Sequence, residues 1–134
     1  MTGGYHRTEY LNDGWYNNGP TWVRSEADNV GHCTFPVWAE IDLGAEFSVH
    51  VVALTNELSV LHRDRGATVL TIDAIDTSEQ STFFASMNDG TTLRGRREFR
   101  PQSEVLARKL RVTIMGAEGG FCPRLDEIEV LGKQ

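Results

Sequence analysis

From Val37 to Leu43 every second residue is apolar: Val37, Ala39, Ile41 and Leu43 share one face of an extended chain, and Trp38, Glu40 and Asp42 share the other. A period of two marks a half-buried strand, because successive side chains leave opposite faces of the pleat. The pattern recurs further on. Leu110, Val112 and Ile114 point one way with Arg111 and Thr113 opposite, and Ile128 and Val130 point inward with Glu127 and Glu129 outward. Val49 to Leu54, Val69 to Ile75, Thr82 to Ser86 and Thr92 to Phe99 are further candidate strands. No segment of useful length carries apolar residues at helical spacing. The expectation is a single all-β domain over residues 1–134, a jelly-roll β-sandwich with no helix longer than a few turns.

Turn signals separate these runs. Asn88-Asp89-Gly90 reads as a hairpin turn, since Asp-Gly tolerates the positive φ that tight hairpins need. Gly44, Gly66 and the Gly116 to Gly120 stretch mark other turns. Three irregular segments are long: Asn12 to Pro36, Asn56 to Thr68, and Met115 to Pro123. Long loops without their own secondary structure tend to carry function, and all three hold aromatic or charged residues.

A length of 134 residues allows one real core. The formal net charge of -6 argues against nucleic acid, whose binding draws on a basic face, and against docking on anionic lipid. It is compatible with a neutral ligand such as a sugar, and with a bound cation. No apolar run reaches the length of a membrane span. Met1-Thr2-Gly3-Gly4 leads into no apolar signal segment, which leaves as expectations a cytoplasmic protein or a domain of a longer secreted chain. The two cysteines, Cys33 and Cys122, have no neighbouring Cys or His at zinc-site spacing.

Three phrases in order carry a family resemblance: Leu11-Asn12-Asp13-Gly14, then Trp38-Ala39-Glu40-Ile41-Asp42-Leu43-Gly44, then Arg111-Val112-Thr113-Ile114 followed by Leu125-Asp126-Glu127-Ile128-Glu129-Val130-Leu131-Gly132. Together they resemble the discoidin, or coagulation-factor type C, family of galactose-binding-like modules, from about Tyr10 to Gly132. The resemblance implies a β-sandwich that binds rather than catalyses, with its site on the loops at one end. It also implies an extracellular or cell-envelope module within a longer secreted chain, monomeric or part of a multidomain protein. His6 and the Leu11 to Asn17 stretch look like discoidin-type domains of large bacterial envelope proteins. In the fucose-binding lectin branch a cysteine in each of the two regions forms a bridge, which implies a Cys33–Cys122 disulfide here. Two unrelated free thiols are the plain alternative.

The same resemblance implies a structural calcium. Its side-chain ligands would be Asp13 and Glu127. Its carbonyl ligands would be those of Tyr10, Trp15 and Asp126, with Thr21 in place of a hydroxyl that the family often supplies. Calcium takes roughly six to eight oxygens of this mixed kind. Without the resemblance, Asp13 reads as an Asx turn and Glu127 as a solvated strand carboxylate.

A sugar needs an aromatic face against its apolar side and a few fixed polar groups to read its hydroxyls. The family often places a reading arginine in the loop that here holds Leu61-His62-Arg63-Asp64-Arg65-Gly66. Arg63 or Arg65 would read hydroxyls, with Asp64 or His62 to orient or accept; a solvated, locally paired loop is the plain alternative. Phe121, after Gly119-Gly120, is the preferred stacking residue, with Trp15 or Tyr16 in reserve; Trp22 and Trp38 read as core or sheet residues. His32 beside Cys33 invites comparison with the fucose-binding lectins. There the histidine follows the cysteine and two arginines follow the third strand, whereas here the histidine precedes, Phe35 holds the offset position, and Glu57 stands near the first arginine's place. These departures argue against fucose and leave other sugars open.

Catalysis finds no support. His32 and Cys33 are chain neighbours that point apart, and Glu40 and Asp42 have the spacing of solvent-facing strand carboxylates. No nucleophile elbow, phosphate loop or metalloprotease motif occurs. The expected function is non-catalytic binding of a terminal galactose-like sugar with a structural calcium. The alternative is a protein-interaction or structural discoidin-like module of a bacterial extracellular protein, since a fold does not fix a function.

Overall fold

The structure, a computed structural model, describes residues 32–56 and 65–133. Within them the chain forms six strands: β1 (Val37–Thr55), β2 (Ala67–Ile75), β3 (Ser81–Met87), β4 (Arg96–Phe99), β5 (Val105–Ala117) and β6 (Glu127–Lys133). A 3-10 turn, Glu118–Gly120, follows β5. The strands run in the order β3-β2-β5-β1-β4, with β6 also paired to β1, and every pairing is antiparallel. This is the all-β sandwich the alternation predicts.

The two separate strands expected on either side of Gly44 are one. β1 continues through Gly44, and the ladder to β5 slips between Asp42 and Phe47, where the Gly44 N–H donates to Asp42 Oδ1 at 2.8 Å. A second slip, in the ladder to β6, lies between Val49 and Val51. Bulges of this kind let a strand turn a sandwich corner and change sheets. The first part of β1 lies along β5, with Val37 opposite Ile114 and Ile41 opposite Leu110. The last part lies between β4 and β6, with Val52 opposite both Phe99 and Val130. Both ends of β1 thereby reach the end of the sandwich where β5 finishes.

The core follows from this path. Val37, Ala39, Val49, Val52, Leu54, Leu70, Ile72, Phe84, Leu110, Val112, Ile114 and Leu125 pack together in it. From Val51 to Thr55 every residue of β1 is buried, so here both faces of the strand are covered.

Three local expectations change. Asn88-Asp89-Gly90 bends the chain, but it joins β3 to β4, which lie at opposite ends of the strand order; it is a crossover and not a hairpin. The hairpin of this region joins β2 to β3 instead, through Asp76–Gln80, where Asp76 Oδ1 accepts the N–H groups of Ser78 and Gln80. The run from Thr92 to Phe99 becomes strand only at Arg96. Glu127, expected to face solvent, is buried, because the covered end of β1 lies alongside the start of β6.

Candidate functional site

Five strand ends meet at one end of the sandwich: the close of β1, the starts of β2, β4 and β6, and the close of β5. Their loops are tied together by main-chain hydrogen bonds. Leu93 N–H donates to the Ala67 carbonyl at 2.8 Å, Asn56 N–H to Gly95 at 2.9 Å, and Glu118 N–H to Gly66 at 3.0 Å. Arg124 N–H donates to the Arg65 carbonyl at 3.0 Å and Asp126 N–H to Thr55 at 2.7 Å. The buried Asn56 amide adds a bond to the Leu93 carbonyl at 2.9 Å. Gly66 is wrapped so closely that a Cβ there would lie 2.5 Å from the Leu93 carbonyl oxygen. Buried backbone of this kind must be satisfied, and it fixes the loops it serves.

The expected disulfide is present: Cys33 and Cys122 are bonded, with their Cα atoms 4.8 Å apart. It ties the segment entering β1 to the segment leaving the 3-10 turn. The Cys33 N–H also donates to the Gly120 carbonyl at 3.1 Å, and His32 pairs with Phe121 as an isolated bridge. The rings of His32 and Phe121 lie 4.9 Å apart at centroid, inclined by 31°. Arg65, on the last residues before β2, places its guanidinium carbon 4.8 Å from the centre of the Phe121 ring, within cation–π reach. Three residues singled out in the sequence, His32, Arg65 and Phe121, therefore converge from three segments of the chain.

Phe121 is not thrown outward by its glycines. Gly119 has φ +62°, and a Cβ on it would lie 2.9 Å from the Phe121 ring. The turn folds the ring back over itself and leaves it half-buried. Of the remaining expected ligand-binding residues, His62, Arg63, Asp64, Trp15 and Tyr16 lie outside the described residues. Glu118 and Arg94, which the sequence reading passed over, join the same end: Arg94 Nη2 pairs with Glu118 Oε2 at 2.7 Å. Only the Gly-rich context of Glu118 hinted at this, and Arg94 carried no signal.

Of the expected calcium ligands, Asp126 and Glu127 fall in the described part, and Asp13, Tyr10, Trp15 and Thr21 fall outside it. Asp126 and Glu127 are 0% and 3% exposed. Carboxylates so far from water need a positive neighbour. Arg124 of the same segment is buried as well, and a bound cation fits beside the two carboxylates, since carboxylate and carbonyl oxygens are what calcium takes. Among the described residues no three His, Cys, Asp or Glu side chains cluster at metal-binding spacing.

No family model matches the sequence, and comparison with curated proteins gives no match. Solved structures do match. A module from a Clostridium perfringens protein, in complex with GalNAc-β-1,3-galactose, is 12% identical with a TM-score of 0.61, over 72% of this chain and 66%, just under two thirds, of that one. A family 32 carbohydrate-binding module of Clostridium perfringens, in complex with galactose, is 22% identical with a TM-score of 0.64, over 77% of this chain and 72% of that one. Chitosan-binding module 2 of a Paenibacillus chitosanase/glucanase, in complex with chitotriose, is 24% identical with a TM-score of 0.63, over 76% and 74%. At these identities the likeness is one of fold: the chain has the β-sandwich architecture seen in family 32 carbohydrate-binding modules, the discoidin or galactose-binding-like fold.

Proposed function

We propose that this protein is a non-catalytic carbohydrate-binding module that takes a terminal galactose-like sugar at the end of the sandwich holding His32, Arg65 and Phe121. The observation that carries the reading is their convergence: an imidazole and a guanidinium are set against one aromatic ring, on a frame shared with proteins solved in complex with saccharides. A pyranose would lie on the part of Phe121 that Arg65 leaves uncovered. Arg65, held by the ring and by its main-chain bond to Arg124, would present its N–H fork to adjacent hydroxyls, and His32 would donate or accept beside it. An arginine already fixed loses little freedom when a ligand arrives.

Calcium belongs to the same proposal in a structural role. The Glu127 carboxylate and the Asp126 carbonyl would hold it together with Asp13 and its neighbours, tying the first loop to β6. The disulfide fits a secreted module, because such bonds persist in oxidising compartments.

Sites of this shallow kind bind with dissociation constants on the order of 0.1–1 mM, about 4–5 kcal/mol. A glycan array followed by calorimetry on the best hit tests the proposal. Binding that weakens about tenfold or more in both Phe121→Ala and Arg65→Ala supports it, the size expected for a lost aromatic or cation–π contact. Binding untouched by either change refutes the site. No binding to any glycan at millimolar concentration refutes the function and favours a protein-interaction module.

A further inference from the structure

The other end of the sandwich holds a second cavity. It has a volume of about 460 Å³ and is lined by Glu46, Ser48, His50, Glu104, Leu106 and Lys133. These come from the corner of β1, the approach to β5 and the close of β6, brought side by side by register: Ser48 is opposite both Leu106 and Lys133. A second depression of about 340 Å³ shares His50 and Glu104 and adds Arg100 and Ser103.

The charged surface is otherwise engaged. Arg94 pairs with Glu118, Arg96 with Glu98 and Glu129, Arg97 with Asp89, Arg108 with Asp42, Lys109 with Glu79 and Arg111 with Glu40. Among the described residues, the titratable side chains that make no hydrogen bond, ion pair, ring contact or charge contact are His50, Glu104 and Lys133, and all three line this cavity. Ser48 adds a hydroxyl that is shielded from solvent and has no hydrogen-bond partner. Such a hydroxyl carries a desolvation cost that a ligand's hydrogen bond would offset. Leu106, 51% exposed, supplies an apolar surface beside these groups.

We propose that this cavity is a second ligand site, remote from Phe121, that takes a neutral saccharide. The lining chooses the class. An anion would meet Glu46 and Glu104, and a cation would meet Lys133. A sugar hydroxyl, donor and acceptor at once, suits a mixed set of carboxylate, ammonium, imidazole and hydroxyl groups, and the C–H face of the ring suits Leu106. The volume falls within the roughly 300–1,000 Å³ of small-molecule sites. The choice of saccharide rests on the reading of the molecule as a carbohydrate-binding module; the location of the site does not.

Amide chemical shifts of the intact domain, titrated separately with galactose and with chitotriose to millimolar concentration, test this. In wild type and in Phe121→Ala, the amides of Ser48, His50, Leu106 and Lys133 shift and saturate. Glu104→Ala, which removes an exposed side chain without a partner, weakens that response about tenfold, as expected for a lost bond to a charged group. It leaves the His32 and Phe121 response unchanged. Silence in the cavity while His32 and Phe121 respond to a sugar overturns the second site and leaves the first standing. A cavity response with silence at Phe121 supports the second site and overturns the placement of the first. A cavity response indifferent to Glu104→Ala overturns the assignment, and silence everywhere to both sugars overturns both sites.

Discussion

Removing the disulfide tests whether the site and the stability share one fastening. Cys33 and Cys122 are separated by 89 residues, so the bond excludes a large set of unfolded conformations. The chain-entropy relation gives about 4.6 kcal/mol for a loop of that size at 25 °C. An unfolding entropy of about 2.1 cal/mol/K per residue gives roughly 0.28 kcal/mol/K for a chain of 134 residues. The full entropic effect then corresponds to a fall in melting temperature of about 16 °C, and native bonds of this kind commonly deliver half of it or more. The Cys33→Ala, Cys122→Ala double variant should therefore melt about 8–16 °C lower by calorimetry. Its His32 segment should also lose its register beside Phe121, because the Cys33 bond to Gly120 is then the main described tether. Sugar affinity measured well below the melting temperature should fall with it. A drop of less than about 3 °C would refute the loop-closure reasoning. A large drop with unchanged affinity would refute the claim that the bond positions His32.

Three further outcomes are expected. Asp42 is held at a pKa of about 2, chiefly by its hydrogen bonds from Arg108 and then from the Gly44 N–H. A depressed carboxyl stabilises above its unfolded pKa and ceases to as pH falls through the folded one, so the melting difference between wild type and Asp42→Asn should be flat above about pH 4, shrink as pH falls towards about 2, and be lost below it. Gly66→Ala should cost about 1–3 kcal/mol, measured by urea unfolding, because its Cβ would meet the Leu93 carbonyl at 2.5 Å and Thr92 at 2.6 Å, and backbone cannot swing aside as a side-chain tip can. Chelation should lower the melting temperature and added calcium restore it, with Glu127→Gln blunting the response; a melt indifferent to both removes calcium from the proposal.

The strands were legible because one covered face imposes period two, and Val37, Ala39 and Ile41 obey it. What alternation leaves open is whether the opposite face is covered as well. That is why Glu127, on the polar phase of its strand, turned out buried against the end of β1. Turn chemistry was legible as bending and not as partnership: Asp89-Gly90 bends the chain, yet the strands it joins never pair. Asp76–Gln80 escaped notice because an aspartate gathering two amides and Glu79 at φ +63° did the work glycine usually does. Gly44 looked like a reversal because a bulge and a turn share that residue. His32 could be singled out because it adjoins a cysteine, and Phe121 because it follows Gly119-Gly120. Arg94 could not, since its meeting with Glu118 depends on two crossovers that no local pattern encodes.

The two ends of the sandwich are held apart by one element. β5 runs from Val105, beside Glu104 and the second cavity, to Ala117, where the turn leading to Phe121 begins. At about 3.3 Å per residue it separates the ends by roughly 40 Å. β5 is hydrogen-bonded to β1 on one edge and β2 on the other, so it acts as a stiff spacer and no described element connects the sites as a hinge. Small sugars at the two ends should therefore bind independently, with additive effects of substitutions at each. A polysaccharide long enough to follow the face of the domain is different. Once one end is engaged the other meets the same chain at a high effective concentration, and weak sites can combine into useful avidity without any change in either. On that argument a polymer should lose far more affinity than a monosaccharide when the end that contributes less, alone, is removed.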